Sequence, residues 1–504
     1  MAKSKRRTEF GDFQTPRPLA DEVCNLLLRT RVCPTAIIEP TCGEGTLLLS
    51  ALKHFPNAGQ AIGLDINAAH LSVLERTLAN SPNSEKARLI CASFFDTDWS
   101  TLVAGLDDQL LVIGNPPWVT NAGLGVLAST NLPRKANFQG HSGLDAITGK
   151  SNFDISESIL LRVMHWLNAR SGIMAMLCKT AVARKLLYHA WSMDLHLESS
   201  DLYGIDAMRH FRATVDACLM VCRFGPGSRS RCADVFATMD SALPVRRLGW
   251  REGQVISDTD AYDKWEHLAV DGAERKYQWR SGVKHDCSTV MELRDCEGRL
   301  FNKLGKLVDI EPTFLFPMLK SSQVAKGCTN HPSNWMIVTQ RSVSDDTALI
   351  RNLAPKTWSY LSSHADLLDA RRSSIYLRRP RFSVFGVGDY TFAPYKVAIS
   401  GFYKHFTFEV VEPYQDSPVV FDDTVYFLPC QTKKEAELYA ELLNSVVAQE
   451  FFSAFVFWDA KRPITADLLR RLDLSKLADH LGLSTVFNRV APVKAEPSPQ
   501  RVLF

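Results

Sequence analysis

Asn115-Pro116-Pro117-Trp118 is the stretch of this chain whose residue types most directly imply chemistry. Two successive prolines hold the backbone rigid and remove two N–H donors, which leaves carbonyl oxygens to accept hydrogen bonds. The Asn115 side-chain oxygen and the Pro116 carbonyl can together accept both protons of a planar amine or amide. That draws the nitrogen lone pair out of conjugation and makes it nucleophilic, while Trp118 offers a face on which a ring can stack. The bland alternative is a structural turn that ends a strand, and the residues elsewhere have to decide between the two.

A second constellation is Glu39-Pro40-Thr41-Cys42-Gly43-Glu44-Gly45, a glycine-bearing turn between a predicted strand and a predicted helix. Glycine there lets the backbone approach a ligand closely. Asp65 ends the next predicted strand, roughly twenty residues on, where a carboxylate can accept hydrogen bonds from both ribose hydroxyls of a nucleoside cofactor. Either feature alone is weak, but together they point to such a cofactor.

These residues need a scaffold. Short β-branched runs at 36–39, 61–65, 88–93, 110–114, 172–178 and 218–224 alternate with segments of helical period at 18–30, 46–55, 68–79 and 155–167. The alternation predicts a doubly wound α/β sheet, with both constellations at the carboxyl edge where open α/β sheets bind ligands. The stretch 119–152 has no period and is longer than ordinary connections, as functional loops often are. Within it, Gly143-Leu144-Asp145-Ala146-Ile147-Thr148-Gly149-Lys150-Ser151 mimics a P-loop. Five residues separate its glycines where the motif has four, and no strand leads into it.

At 504 residues the chain predicts two domains, and its net charge of +3 does not announce a polyanionic partner. After Gly225-Pro226-Gly227 the alternation stops and scattered aromatics, arginines and short β-like runs take over. We expect a catalytic domain over 1–235, a mixed α+β domain over 236–490 and a mobile tail over 491–504. The basic start, Met1–Arg7, leads into no apolar stretch, and no run approaches a membrane span. Twelve cysteines without a C-x2-C pair read as thiols of a cytoplasmic protein. His285 with Cys287, and Cys328 with His331, lack regular ligand spacing, so no metal is expected.

Gly11-Asp12-Phe13-Gln14-Thr15-Pro16 precedes the glycine turn, and the order of the three motifs resembles one family: the gamma-class adenine N6 methyltransferases of bacterial type II restriction-modification systems. The likeness spans roughly residues 10–225. It implies S-adenosylmethionine as cofactor on a Rossmann-like domain, with a target-recognition domain following. It puts Thr15 and Pro16 beside the cofactor's methionine end, Glu39, Pro40, Thr41 and Gly43 around its amino acid and sugar, and Asp65 on the ribose, with Asn115 closing the site. At Ser93-Phe94-Phe95-Asp96 it implies a ring stack by Phe94 or Phe95 and a hydrogen bond by Ser93 or Asp96. Phe211 matches the second base-stacking aromatic, facing Trp118 across a flipped adenine. Asp154 and Glu157 resemble acidic positions of the next helix, and Asp154 suits a helix cap.

The site motifs place no general base beside Asn115, and attack on a methyl sulfonium hardly needs one: orientation and electrostatics carry such a displacement. A duplex adenine must leave the stack to be reached. Arg371, Arg372, Arg378, Arg379, Arg381 and Lys396, interleaved with aromatics, are expected to contact double-stranded DNA, as are Arg280 and Lys284. The resemblance further implies a monomer acting on each strand in turn, with any restriction endonuclease separately encoded. The same Asn-Pro-Pro site would serve an RNA adenine or a protein glutamine, and an inactive cofactor-bound DNA-binding protein is the rival from another class.

Overall fold

The computed structural model describes residues 14–106, 109–118, 154–271 and 277–490. Gly11, Asp12 and Phe13 of the first motif, the stretch 119–152 with its P-loop mimic, and the two chain ends lie outside the described residues. The chain forms two compact units, Met1–Asp260 and Ala261–Phe504.

The first unit is built on a ten-stranded sheet. Its strands are β1 (Ala36–Glu39), β2 (Gln60–Asp65), β3 (Ala87–Cys91), β4 (Leu110–Gly114), β5 (Gly172–Lys179), β6 (Leu197–Ile205), β7 (Ala217–Phe224), β8 (Cys232–Phe236), β9 (Arg246–Arg251) and β10 (Gln254–Ile256). The order is β10-β9-β8-β6-β7-β5-β4-β1-β2-β3. β3, β2, β1, β4 and β5 are parallel neighbours, and β7 runs antiparallel between β5 and β6. This is the Rossmann-like fold of S-adenosylmethionine-dependent methyltransferases. β1 and β4 are buried along their whole length, as parallel strands covered on both faces are.

From β1 the chain winds outward through β2 and β3, then crosses back to β4 on the other side. That reversal is a topological switch point, and the crevice at the carboxyl ends of β1 and β4 is where such sheets hold ligands. The glycine turn and Asn115 both leave the sheet there.

Helices α1 (Arg17–Arg29), α2 (Thr46–His54), α3 (Ala68–Ala79), α4 (Ile155–Asn168), α5 (Thr180–Ser192) and α6 (Ala207–Phe211) complete the part of the unit that shapes the site. Pro18 opens α1, where a missing N–H costs nothing, and Leu19, Val23, Leu26 and Leu27 form its buried stripe. Asn67 caps α3 and Asp154 caps α4 through their side chains.

The expected domain boundary after residue 235 moves to Asp260. β8 pairs with β6, β9 with β8 and β10 with β9, so residues past 235 satisfy the backbone groups of an edge that would otherwise be bare.

The second unit is mixed α+β. One sheet runs Arg280–Ser281, Val425–Cys430, Tyr395–Ser400, Glu409–Val411, all neighbours antiparallel. The other has six strands, with Glu292–Cys296 and Asn334–Ile337 paired at its centre. Separate apolar clusters around Trp279 and Phe452, and around Val290 and Met336, give this unit its own core. No helix among the described residues is long and apolar enough to cross a membrane.

Candidate active site

The ends of β1 and β4 lie together: a Cβ added to Gly114 would come 3.6 Å from Pro40 Cδ and 3.3 Å from Met176 Cε. Asn115 follows Gly114, and its Nδ2 donates to Thr15 Oγ1 at 3.3 Å, joining two of the expected motifs across 100 residues of chain. Gln14 Oε1 accepts the Glu44 N–H at 3.0 Å, so the residue before Thr15 grips the glycine turn. The structure therefore brings together three segments expected to share one site.

The turn itself is held from both sides. Gly43 and Gly45 sit at φ +53° and +75°, the left-handed region that favours glycine. The Gly43 N–H donates to Asp65 Oδ2 at 2.8 Å and the Asn67 N–H to Asp65 Oδ1 at 2.8 Å. With about four lone-pair sites, that carboxylate keeps capacity for further donors. Glu39 is buried and accepts the Leu48 N–H at 2.9 Å at the start of α2. Burial raises its pKa well above the ordinary carboxylate value, the Leu48 N–H opposes that, and nearby Asp65 adds to the rise. Its role here is to brace the turn against α2.

Trp118 and Phe211, the two expected base-stacking residues, meet edge to face with centroids 5.1 Å apart and planes at 71°. They are 7% and 6% exposed. The Trp118 indole N–H donates to the Leu177 carbonyl at 3.4 Å. Phe211 closes α6, and Arg212 then turns the chain at φ +56°.

Two residues escaped the sequence reading. Lys179, the last residue of β5, donates from Nζ to the Trp118 carbonyl at 3.1 Å and to Asp154 Oδ2 at 2.6 Å. Asp154 is thus both cap and counter-ion, and Glu157 likewise pairs with Lys185 at 2.8 Å. Ile66, directly after Asp65, is 54% exposed, an apolar platform beside the carboxylate. An apolar residue after a strand-ending acid is the signal that could have found it. Lys179 carries no such mark.

Phe94 is placed differently from expectation. Its ring packs on Phe95, Trp99 and Trp166 with centroids 5.3, 5.3 and 5.5 Å away, and the Trp99 indole donates to the Phe94 carbonyl. It is core, which leaves Phe95, half-buried under the Arg162 guanidinium, as the aromatic facing outward at that position. Ser93 Oγ accepts the Phe95 N–H at 3.2 Å and so shapes this turn, while Asp96 is exposed.

No family profile matches the chain. The type II methyltransferase M.NspV of Nostoc sp. (strain ATCC 29411 / PCC 7524) is 44% identical over 474 residues, which is 94% of this chain and 98% of that protein. The chain belongs to the type II methyltransferase family. M.CvrRI, a type II methyltransferase of Paramecium bursaria Chlorella virus XZ-6E, is 32% identical over 117 residues, 23% of this chain and 26% of that one. Among solved structures, the type IIL restriction-modification enzyme MmeI in complex with DNA aligns at TM-score 0.49 and 12% identity, over 93% of this chain and 65% of that one.

The cofactor of this type II methyltransferase is S-adenosylmethionine, and the residues at the switch point fit it. A side chain at Gly43 would put its Cβ 2.6 Å from Gln14 Oε1, so the turn is kept bare. Thr41 Oγ1 is buried in the same turn with no hydrogen-bond partner among the described residues, as a group awaiting a polar ligand would be. Asp65, with Ile66 beside it, supplies the acidic and apolar partners a nucleoside calls for.

In the second unit the expected DNA-contacting cations separate into anchors and exposed groups. Lys396 is 1% exposed and donates to the Ala393 carbonyl at 2.6 Å, so it is removed from the surface set. Its strand, Tyr395–Ser400, is buried on both faces. Arg371 is half-buried and tied down: it donates to the Leu368, His285 and Ser383 carbonyls and lies 3.8 Å from the Tyr376 ring centroid. Arg280 stacks on Tyr390, Lys284 lies 3.8 Å from Asp286, and Arg381 pairs with Asp369 at 2.7 Å. Arg372, Arg378 and Arg379 are exposed and have no acidic partner among the described residues. His285 accepts the Cys287 N–H and pairs with Glu292 at 3.3 Å, which engages both ring nitrogens.

Proposed function

We propose that this type II methyltransferase is a gamma-class enzyme that methylates the exocyclic N6 amino group of an adenine flipped out of duplex DNA. The observation that supports it most is the Asn115 to Thr15 contact at the switch point. With Nδ2 turned toward Thr15, the Oδ1 end of the amide is the one offered to an amino group, next to the carbonyl of Pro116. Pro117 keeps that carbonyl fixed, and Trp118 with Phe211 supplies the aromatic surroundings of a purine.

S-adenosylmethionine, when bound, supplies a methyl group on a sulfonium. The chain's residues do the rest. Thr15, Pro16 and the turn 39–45 hold the amino-acid end, Asp65 the ribose, and Ile66 with Phe95 the adenine, where Ser93 or Asp96 takes its amino group. Asn115 and Pro116 accept the two N6 protons and aim the nitrogen lone pair for in-line displacement, a contribution of orientation and fixed dipoles. Arg372, Arg378 and Arg379, with Arg280 and Lys284, meet the phosphates and base edges. The enzyme works as a monomer on each strand in turn, in the cytoplasm, and protects sites from a separately encoded endonuclease.

Purified protein with labelled S-adenosylmethionine and duplex DNA should yield N6-methyladenine on hydrolysis. Recovery of only C5- or N4-methylcytosine would refute the adenine assignment. Asn115→Ala should abolish transfer and leave cofactor affinity within a few fold.

A further inference from the structure

We infer that Lys179 is a positioning residue for methyl transfer, fixing the peptide of Trp118 and with it the Asn-Pro-Pro-Trp segment. The inference rests on the reading that this segment receives the acceptor base.

β5 holds Trp118 at two points: the Leu177 carbonyl takes the indole N–H at 3.4 Å and the Lys179 ammonium takes the main-chain carbonyl at 3.1 Å. Both anchors are themselves held by their neighbours. β5 pairs with β4 on one side and β7 on the other, with Lys179 opposite Ala217, and the next residue, Thr180, donates its N–H to the Asp216 carbonyl at 3.0 Å. The ammonium is aimed by Asp154, 2.6 Å away. Asp154 is in turn fixed by the Ser156 N–H at 3.1 Å and Ser156 Oγ at 2.7 Å.

The charge arrangement fits positioning rather than proton transfer. Asp154 is buried and neutralises Lys179, so no net positive charge is added beside a nitrogen that itself becomes cationic during attack. What Lys179 adds is direction. A shift of the Trp118 main chain away from this anchor would displace the indole and, through the two rigid prolines that precede it, the Pro116 carbonyl and Asn115, where misplacement by about 1 Å costs on the order of a hundredfold in rate.

The test uses the full chain with duplex substrate. Lys179→Met should lower kcat roughly 30- to 100-fold while the KM for DNA and the Kd for S-adenosylmethionine stay within about twofold. Lys179→Arg, which keeps charge and donors, should retain most of the activity. If Lys179→Met alone fails to fold because it leaves the buried Asp154 unpaired, the Lys179→Met/Asp154→Asn double variant removes that penalty and should show the same kcat loss. Wild-type kcat in the folded single or double variant would overturn the inference, as would a loss that appears only in cofactor affinity or thermal stability. The acceptor base is identified separately, by hydrolysing wild-type product. Should it be cytosine, the proposed substrate falls while the kcat comparison still decides the role of Lys179.

Discussion

Trp118 and Phe211 touch edge to face, so a purine lies between them only once the two rings part. In the proposed capture of the base, stacking on it would replace the contact the two rings make with each other. Base-on-aromatic stacking contributes about 1–3 kcal/mol, so Phe211→Ala should weaken capture of the flipped base roughly 5- to 150-fold. Fluorescence of 2-aminopurine at the target position reads this directly, and an unchanged signal would remove Phe211 from the base site. Lys396 shows the opposite lesson, that a cation in an arginine-rich stretch need not face a ligand. Burial lowers its pKa to about 7, against an ordinary 10.5, with a small opposing contribution from Cys430. The unfolded chain therefore binds the extra proton between those values, and stability rises as pH climbs from 7 to 10.5. Below pH 7 the full penalty persists. Lys396→Met should stabilise the protein by roughly 2–4 kcal/mol at pH 6 and flatten this slope in denaturant titrations. An equally steep slope in the variant would mean another group titrates.

At the scale of elements, what sequence could disclose depended on how a segment meets its neighbours. β1, β4 and α3 match their predicted bounds residue for residue, because wholly buried strands and an amphipathic helix leave an unbroken apolar signature. β6 was missed. It reads Leu-Glu-Ser-Ser-Asp-Leu-Tyr-Gly-Ile, its burial follows no period of two, and only its pairing with β7 and β8 makes it a strand. In the same way, Asn115, Gly43 and Asp65 were legible through spacing, whereas Lys179 acts on a carbonyl 61 residues away, which no local pattern records. The glycine turn can be tested as an element. At φ +75°, with a Cβ that would fall 2.4 Å from Leu74, Gly45→Ala should cost roughly 2–4 kcal/mol in chemical denaturation. The arginine stretch separates likewise. Arg378→Ala and Arg379→Ala should each reduce the salt dependence of DNA binding by about one phosphate contact. Arg371→Ala, which strips three carbonyls of their donor, should instead destabilise the second unit by about 1–3 kcal/mol with the slope unchanged. If Arg371 and Arg378 behave alike, the separation into anchors and contacts is wrong.

At the scale of the whole molecule, two units with separate cores answer to different conditions. S-adenosylmethionine fits residues of the first unit alone, so at a hundred times its Kd it should stabilise that unit by about 2.7 kcal/mol. The second unit carries its own acid-sensitive centre in Glu292. Burial would raise the pKa of this carboxyl, but hydrogen bonds from His285, Lys303 and Lys320 outweigh burial and bring it to about 2, below the ordinary 4.5. For an acid with a depressed folded-state pKa, the stabilisation is complete above 4.5 and is lost as pH falls from there toward 2. Glu292→Gln removes that dependence and leaves the Lys303 and Lys320 ammonium groups around a neutral amide, which should destabilise the second unit at pH 7. Calorimetry from pH 7 down to 3 tests both halves at once: cofactor should move the transition of the first unit, and acid or Glu292→Gln that of the second. A single transition that cofactor, acid and Glu292→Gln all shift together would show that the two cores do not melt independently.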